Sequence, residues 1–212
     1  MKSLTCLFLC TSLSSIALAF EWDPIGDIQN PSRILDNVQR EAGTAAGNVG
    51  RELDNAEREI DRIRIEAQAQ AGAPVFEQWL RESRNTASHG TSPMPPQIRQ
   101  QLQGFYSEEL LNSVRYKIGD GGVFNLASLS IQYGGAAAVT LIDVTIFTNP
   151  NDAYGNSELW AHELKHVQQF SEWGVRDFAI RYLRSWNSVE GEAYAAGNSF
   201  LSWRNSHAQN PL

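Results

Sequence analysis

Five consecutive residues, His162-Glu163-Leu164-Lys165-His166, have the types and spacing of a hydrolytic metal site. In a helix, residues four apart lie one turn apart and about 40° around the axis, so both imidazoles can reach one ion. Glu163 lies about 60° around the axis from His166, close enough to handle a proton on a water held there. Zinc with two such histidines, a third protein ligand and an open position is hydrolytic.

The chemistry requires a helix, and the flanking sequence predicts one. Asn156 or Ser157 can cap its start, Glu158 suits the first turn, and Gly174 suits the stop. On a helical projection, Leu159, Trp160, Leu164, Val167 and Phe170 form one apolar arc. Lys165, Gln168 and Glu172 fall opposite, and His162, His166 and Gln169 lie on the border, where a cleft wall would be.

The third ligand must come from elsewhere. Glu172 is near in sequence but projects to the wrong side if the helix continues, and no glycine turns the chain at Gln169. After Gly174, residues 175–186 predict a helix with Val175, Phe178, Ala179, Tyr182 and Trp186 on one face. Asn187-Ser188 then predicts the cap of another helix, 189–203, which opens with Glu190 and Glu192 among small residues that permit close approach. These two glutamates differ by about 200° around the axis, so only one can face the ion. Glu190 is preferred as the metal ligand, with Tyr194 one turn on as a candidate catalytic group. Against it, Asn187 and Glu190 also match an N-terminal capping pair, which would leave Glu192 as the ligand. Tyr182, Tyr194, His207 or an arginine of 176–184 could help stabilise an oxyanion.

Upstream, residues 31–72 predict helix, with Ile34, Val38, Ala42, Ala45, Val49, Leu53, Ala56, Ile60, Ile63 and Ala67 recurring every three or four positions. Gly43, Gly47 and Gly50 predict a break in its first half. The helix either packs on its own domain or serves self- or partner association. Pro74–Glu82 predicts a short helix, and 84–96 a linker in which His89 is solvated. Residues 96–106 and 108–111 read as helical, 114–118 as a strand ending in an Asp120-Gly121-Gly122 turn, and 149–155 as loop. Val139-Thr140-Leu141 and Val144-Thr145-Ile146-Phe147 flank Ile142-Asp143 as a hairpin whose edge could receive an extended peptide.

The N-terminus reads as an export signal: Lys2, an apolar Leu4–Leu18 stretch too short to span a membrane, and an Ala17-Leu18-Ala19 cleavage site. The expected location is therefore periplasmic or secreted, with no integral membrane association of the mature form. Cys6 and Cys10 both lie in that leader, so the mature chain would hold no disulfide, thiolate ligand or cysteine nucleophile. Without Lys2 the formal charge falls from −7 to about −8, which argues against a nucleic-acid partner.

The second half resembles the zinc metallopeptidase domain associated with extracellular contractile injection systems. The resemblance runs through Pro95-Pro96-Gln97-Ile98-Arg99, Ser113-Val114-Arg115, Val144-Thr145-Ile146-Phe147 and Leu159-Trp160-Ala161-His162-Glu163-Leu164-Lys165-His166-Val167-Gln168-Gln169. The chain is also similar, more loosely, to gluzincins, with Glu190-Gly191-Glu192-Ala193-Tyr194 carrying tyrosine where that group has aspartate. The resemblance implies an α+β, zincin-like domain, assigned to 93–206; the residue pattern ahead of it reads as a signal peptide (1–19) and a helical extension with linker (20–92). The resemblance also implies Zn2+ held by His162, His166 and Glu190, and Glu163 acting as general base on a zinc-activated water to hydrolyse peptide bonds of a protein or peptide substrate. The alternative expectation is an exported interaction or effector module with a structural zinc site and no proteolysis.

Overall fold

The computed structural model describes residues 31–119 and 137–208. The leader and the Asp120-Gly121-Gly122 turn lie outside the described residues. The chain divides into two compact units, Met1–Ile63 and Arg64–Leu212. The first helix, α1 (Pro31–Ala87), runs through both.

Two sequence expectations fail in α1. The glycines at 43, 47 and 50 do not break it, and Pro74 lies inside it rather than opening a separate helix. Each glycine costs only about 1 kcal/mol, and side-chain pairs such as Arg58–Asn55 and Arg62–Glu59 support the exposed stretch. At Pro74 a backbone hydrogen bond is lost, at roughly 3 kcal/mol. Burial of Ala69, Ala73, Leu80 and Ala87 against the second unit's core offsets that cost.

In the second unit, the 84–96 stretch holds the end of α1 and β1 (Ser92–Pro93). Then come α2 (Pro96–Leu102), α3 (Glu108–Ser113), β2 (Arg115–Ile118), β3 (Ala138–Leu141) and β4 (Val144–Phe147). The four described strands form one mixed sheet in the order β1-β2-β4-β3. β2 pairs with β4 in parallel, and the other two pairings are antiparallel. β3 and β4 are the expected hairpin, with Thr140 opposite Thr145. At its tip Ile142 has φ 62, a strained value for a β-branched residue. Arg84 holds the tip through two bonds of 2.6 Å to the Asp143 carboxylate.

Strand alternation sends side chains to two different cores. Val144, Ile146 and Leu141 join Ala73, Leu80, Phe170 and Phe178. Phe147 joins Ile98, Leu102, Trp160, Leu164 and Phe200. β4 is therefore buried along its whole length.

Residues 149–155, expected as loop, contain α4 (Pro150–Gly155). Asn149 accepts from the Asp152 amide, proline occupies the first turn, and Trp160 Nε1 donates to the Ala153 carbonyl at 2.8 Å. The motif helix α5 (Ser157–Arg184) follows, capped by Asn156, which accepts from the Leu159 amide at 3.0 Å. Gly174 interrupts it with φ 77 and ψ 160, so it consists of two helices, 157–173 and 175–184. The last helix, α6, is Trp186–Ala208 and starts before the expected Asn187-Ser188 cap. No described helix is long and apolar enough to cross a membrane.

The Gly174 conformation is essentially glycine-only, and nothing lies within 4 Å of an added Cβ, so the constraint is in the backbone alone. Gly174→Ala should lower stability by about 1–3 kcal/mol. A fall in the urea midpoint at unchanged slope would register it.

Candidate metal centre

His162 and His166 stand one turn apart on α5, and Glu190 reaches them from the second turn of α6. The two Nε2 atoms are 3.3 Å apart. Glu190 Oε2 is 3.4 Å from His162 Nε2 and 3.5 Å from His166 Nε2. Among the described residues these three form the one cluster able to hold a metal. Zinc with tetrahedral ligands about 2.0–2.1 Å away would separate its donors by roughly 3.3–3.4 Å. Two imidazole nitrogens and a carboxylate oxygen at the observed spacings fit that ion.

Close helix contact brings the third group in. Ala193 is fully buried, and a Cβ on Gly197 would sit 3.5 Å from the Glu158 carbonyl and 3.9 Å from His162 Cβ. Because α6 begins at Trp186, Asn187 is inside the helix and does not form the capping pair with Glu190. Ser185 stands ahead of the first turn, its hydroxyl 2.8 Å from that of Ser188. Glu192 points elsewhere, to Lys165 Nζ at 3.5 Å and Gln169 Nε2 at 3.1 Å. Glu172 is exposed and accepts from Gln168.

The electrostatics favour positive charge in this pocket. Burial pushes the Glu190 carboxyl up, but hydrogen bonding to His162 and His166 and their charges outweigh it and hold it at about 2. Burial pushes His166 down, and the Glu190 hydrogen bond with the charges of Glu163 and Glu190 prevails, raising it above the ordinary imidazole value.

Gln169 fixes the orientation of His166. The Gln169 amide nitrogen has two acceptors, the Val189 carbonyl and Glu192 Oε2, both at 3.1 Å. Its oxygen therefore faces His166 Nδ1, at 2.9 Å, and accepts the proton there. The Nε2 lone pair is left for the cluster. Gln169 thus supplies an orienting group for His166 from the motif helix itself. Tyr194 instead packs its ring edge-on against His162, with centroids 4.6 Å apart, and is exposed.

Glu163 is buried, and its Oε2 accepts from Thr140 Oγ1 at 2.7 Å. Thr140 has one hydroxyl proton, and donating it to the carboxylate obliges its oxygen to accept from Thr145, 2.9 Å away. Sequence reasoning missed both threonines as site residues. Two threonines equidistant from a hairpin turn were the available signal, since they must face each other across it.

The cluster lies at the foot of a cleft of about 990 Å³ between β3 and the α5–α6 corner, with Glu163, Tyr182 and Tyr194 among its lining. Of the other candidate oxyanion donors, His207 stacks on Trp203. The arginines face other partners: Arg176 is near Glu77, Arg181 lies over Trp173, and Arg184 binds Glu66.

The family model of the eCIS core domain matches residues 93–174, which links the chain to extracellular contractile injection systems. The matched segment includes His162, Glu163, His166 and Gln169 and ends before Glu190. No curated protein and no solved structure matches the chain.

Two substitutions test the supporting bonds. Thr140→Val should cost about 1–3 kcal/mol in a denaturant melt by stripping a buried carboxylate of its donor, and Thr140→Ser should restore most of it. Gln169→Leu should weaken zinc binding about 10–100-fold, read by competition with a chromogenic chelator.

Proposed function

We propose that this chain is a zinc-dependent metallopeptidase of the gluzincin type, with His162, His166 and Glu190 as metal ligands. The observation that carries the reading is the three-donor triangle at zinc spacing beside a buried, hydrogen-bonded Glu163 at the foot of an open cleft. Bound zinc would supply Lewis acidity toward a carbonyl and toward water. Glu163 takes the proton of the attacking water on its carboxylate and delivers it to the leaving amine. Thr140 keeps one carboxylate oxygen fixed while that transfer occurs. Tyr182 and Tyr194 are the lining residues with hydroxyls suited to a developing oxyanion.

The substrate is an unstructured protein or peptide. Support comes from β3, which pairs with β4 on one side and with no other described strand. Hydrogen-bond alternation turns the Ala138 and Thr140 backbone groups toward the side away from β4, where no described strand pairs and an extended chain can add as a strand. The leader-like pattern of residues 1–19 favours action outside the cytoplasm, in the periplasm or medium, and the family match favours injection-system components among its partners.

A second reading has its own observation. Val49, Leu53, Ile60 and Ile63 leave an apolar stripe exposed on α1, as an interaction or effector module with a structural zinc would require. Under that reading Glu163→Gln leaves the phenotype intact, and deleting residues 31–63 abolishes it.

The peptidase reading predicts about one zinc per purified chain and cleavage of casein. Glu163→Gln should keep the metal, measured by elemental analysis, and lose roughly 100-fold or more of the rate. Glu190→Ala should lose zinc while Glu192→Ala retains it. Full stability and activity without metal would refute the proposal.

A further inference from the structure

We infer that the cleft selects an extended peptide by a bulky apolar side chain and rejects acidic ones. This deepens the peptidase reading and rests on it. Three large apolar residues line the cleft, Leu183 and Trp186 at the α5–α6 corner and Tyr194 about two turns further along α6. They are 44, 57 and 64% exposed, although the same helices bury Phe178, Val189 and Phe200. Leu183 packs against α1, where a Cβ on Gly72 would come within 3.1 Å of its Cδ1. Tyr194 is braced by the His162 ring. Leu183 and Tyr194 thus rest on folded structure, and with Trp186 they line the same cleft as the donor triangle.

Charge defines the rest of the occupant. The lining carries Glu158, Glu163 and Glu190, and no lysine or arginine among the described residues. The nearest cations in sequence are turned away, Arg181 over the Trp173 ring at 4.4 Å and Arg184 on Glu66 at 2.6 Å. A divalent ion offsets two of the three carboxylates, which leaves the cleft with a residual negative charge. An aspartate or glutamate of a bound chain has no cation to meet there, whereas a leucine or phenylalanine meets the corner. Transfer of one large apolar side chain from water to such a wall corresponds to roughly tenfold or more in affinity.

The test uses the full chain carrying Glu163→Gln, loaded with zinc, so that peptides bind without turnover. Fluorescein-labelled, end-blocked Gly/Ser nonapeptides with a single central Leu, Lys or Glu are titrated by fluorescence anisotropy. The Leu peptide should bind at least tenfold tighter than the Glu peptide. Adding Leu183→Ser and Trp186→Ser should erase that advantage while zinc content stays unchanged and the chain still melts cooperatively. Equal affinity for Leu and Glu, a Lys peptide binding as tightly as Leu, a preference that survives the double substitution, or no binding by any peptide would each overturn the inference. If the wild-type chain fails to cleave a Leu peptide that the variant binds selectively, selection by the cleft stands and only the hydrolytic reading falls.

Discussion

The site depends on one buried amide. Gln169 is fully enclosed and spends its donors on the Val189 carbonyl and Glu192, both on α6, and its acceptor on His166 of its own helix. A polar group with no access to water is costly unless satisfied. The amide is satisfied only when α5 and α6 lie at one separation and one rotation. That same arrangement aims Glu190 at the two histidines. Helix packing, imidazole tautomer and donor geometry are therefore consequences of a single hydrogen-bonded constraint, with Ala193 and Gly197 supplying the clearance it needs.

The general-base candidate answers to a different element. Glu163 is one residue from a donor histidine, yet it is held by the sheet through Thr140 and Thr145. Strand alternation puts these two hydroxyls on the α5 face of the hairpin while Val144 and Ile146 go to the opposite core. The tip of that hairpin is in turn gripped by Arg84 at the end of α1. Donors and base are thus positioned by different partners, α6 for the donors and the sheet for the base, an arrangement in which each side chain is fixed by its neighbours.

The sequence exposed whatever depended on short-range periodicity. The motif helix, its Asn156 cap, the Gly174 interruption and the Ile142-Asp143 hairpin are all local patterns. The separation of Glu190 from Glu192 followed from helical phase alone. What stayed hidden depended on tertiary context. Pro74 and three glycines argue locally against one long α1, and packing of Ala69, Ala73 and Leu80 overrides Pro74. The short α4 was masked by loop-forming residues that serve here as its caps. Trp186 fits the buried face of its helix by phase and is exposed because the chain turns directly before it. The Thr140–Glu163 bond joins residues far apart in sequence and needed the sheet's facing to be known.

The order in which the chain is synthesised adds a consequence of Glu190 lying on the last helix. A nascent polypeptide that has emerged through α5 already carries the complete His162–His166 motif, yet it has neither the carboxylate nor the α6 groups that hold Gln169. Such an intermediate offers a cation two loosely oriented imidazoles. Only once α6 has docked on α5 do all three donors stand together, so an ion held by all three would report that these two helices have packed. A product truncated before residue 190 would carry His162, Glu163 and His166 in its sequence and lack the third donor of the candidate metal site.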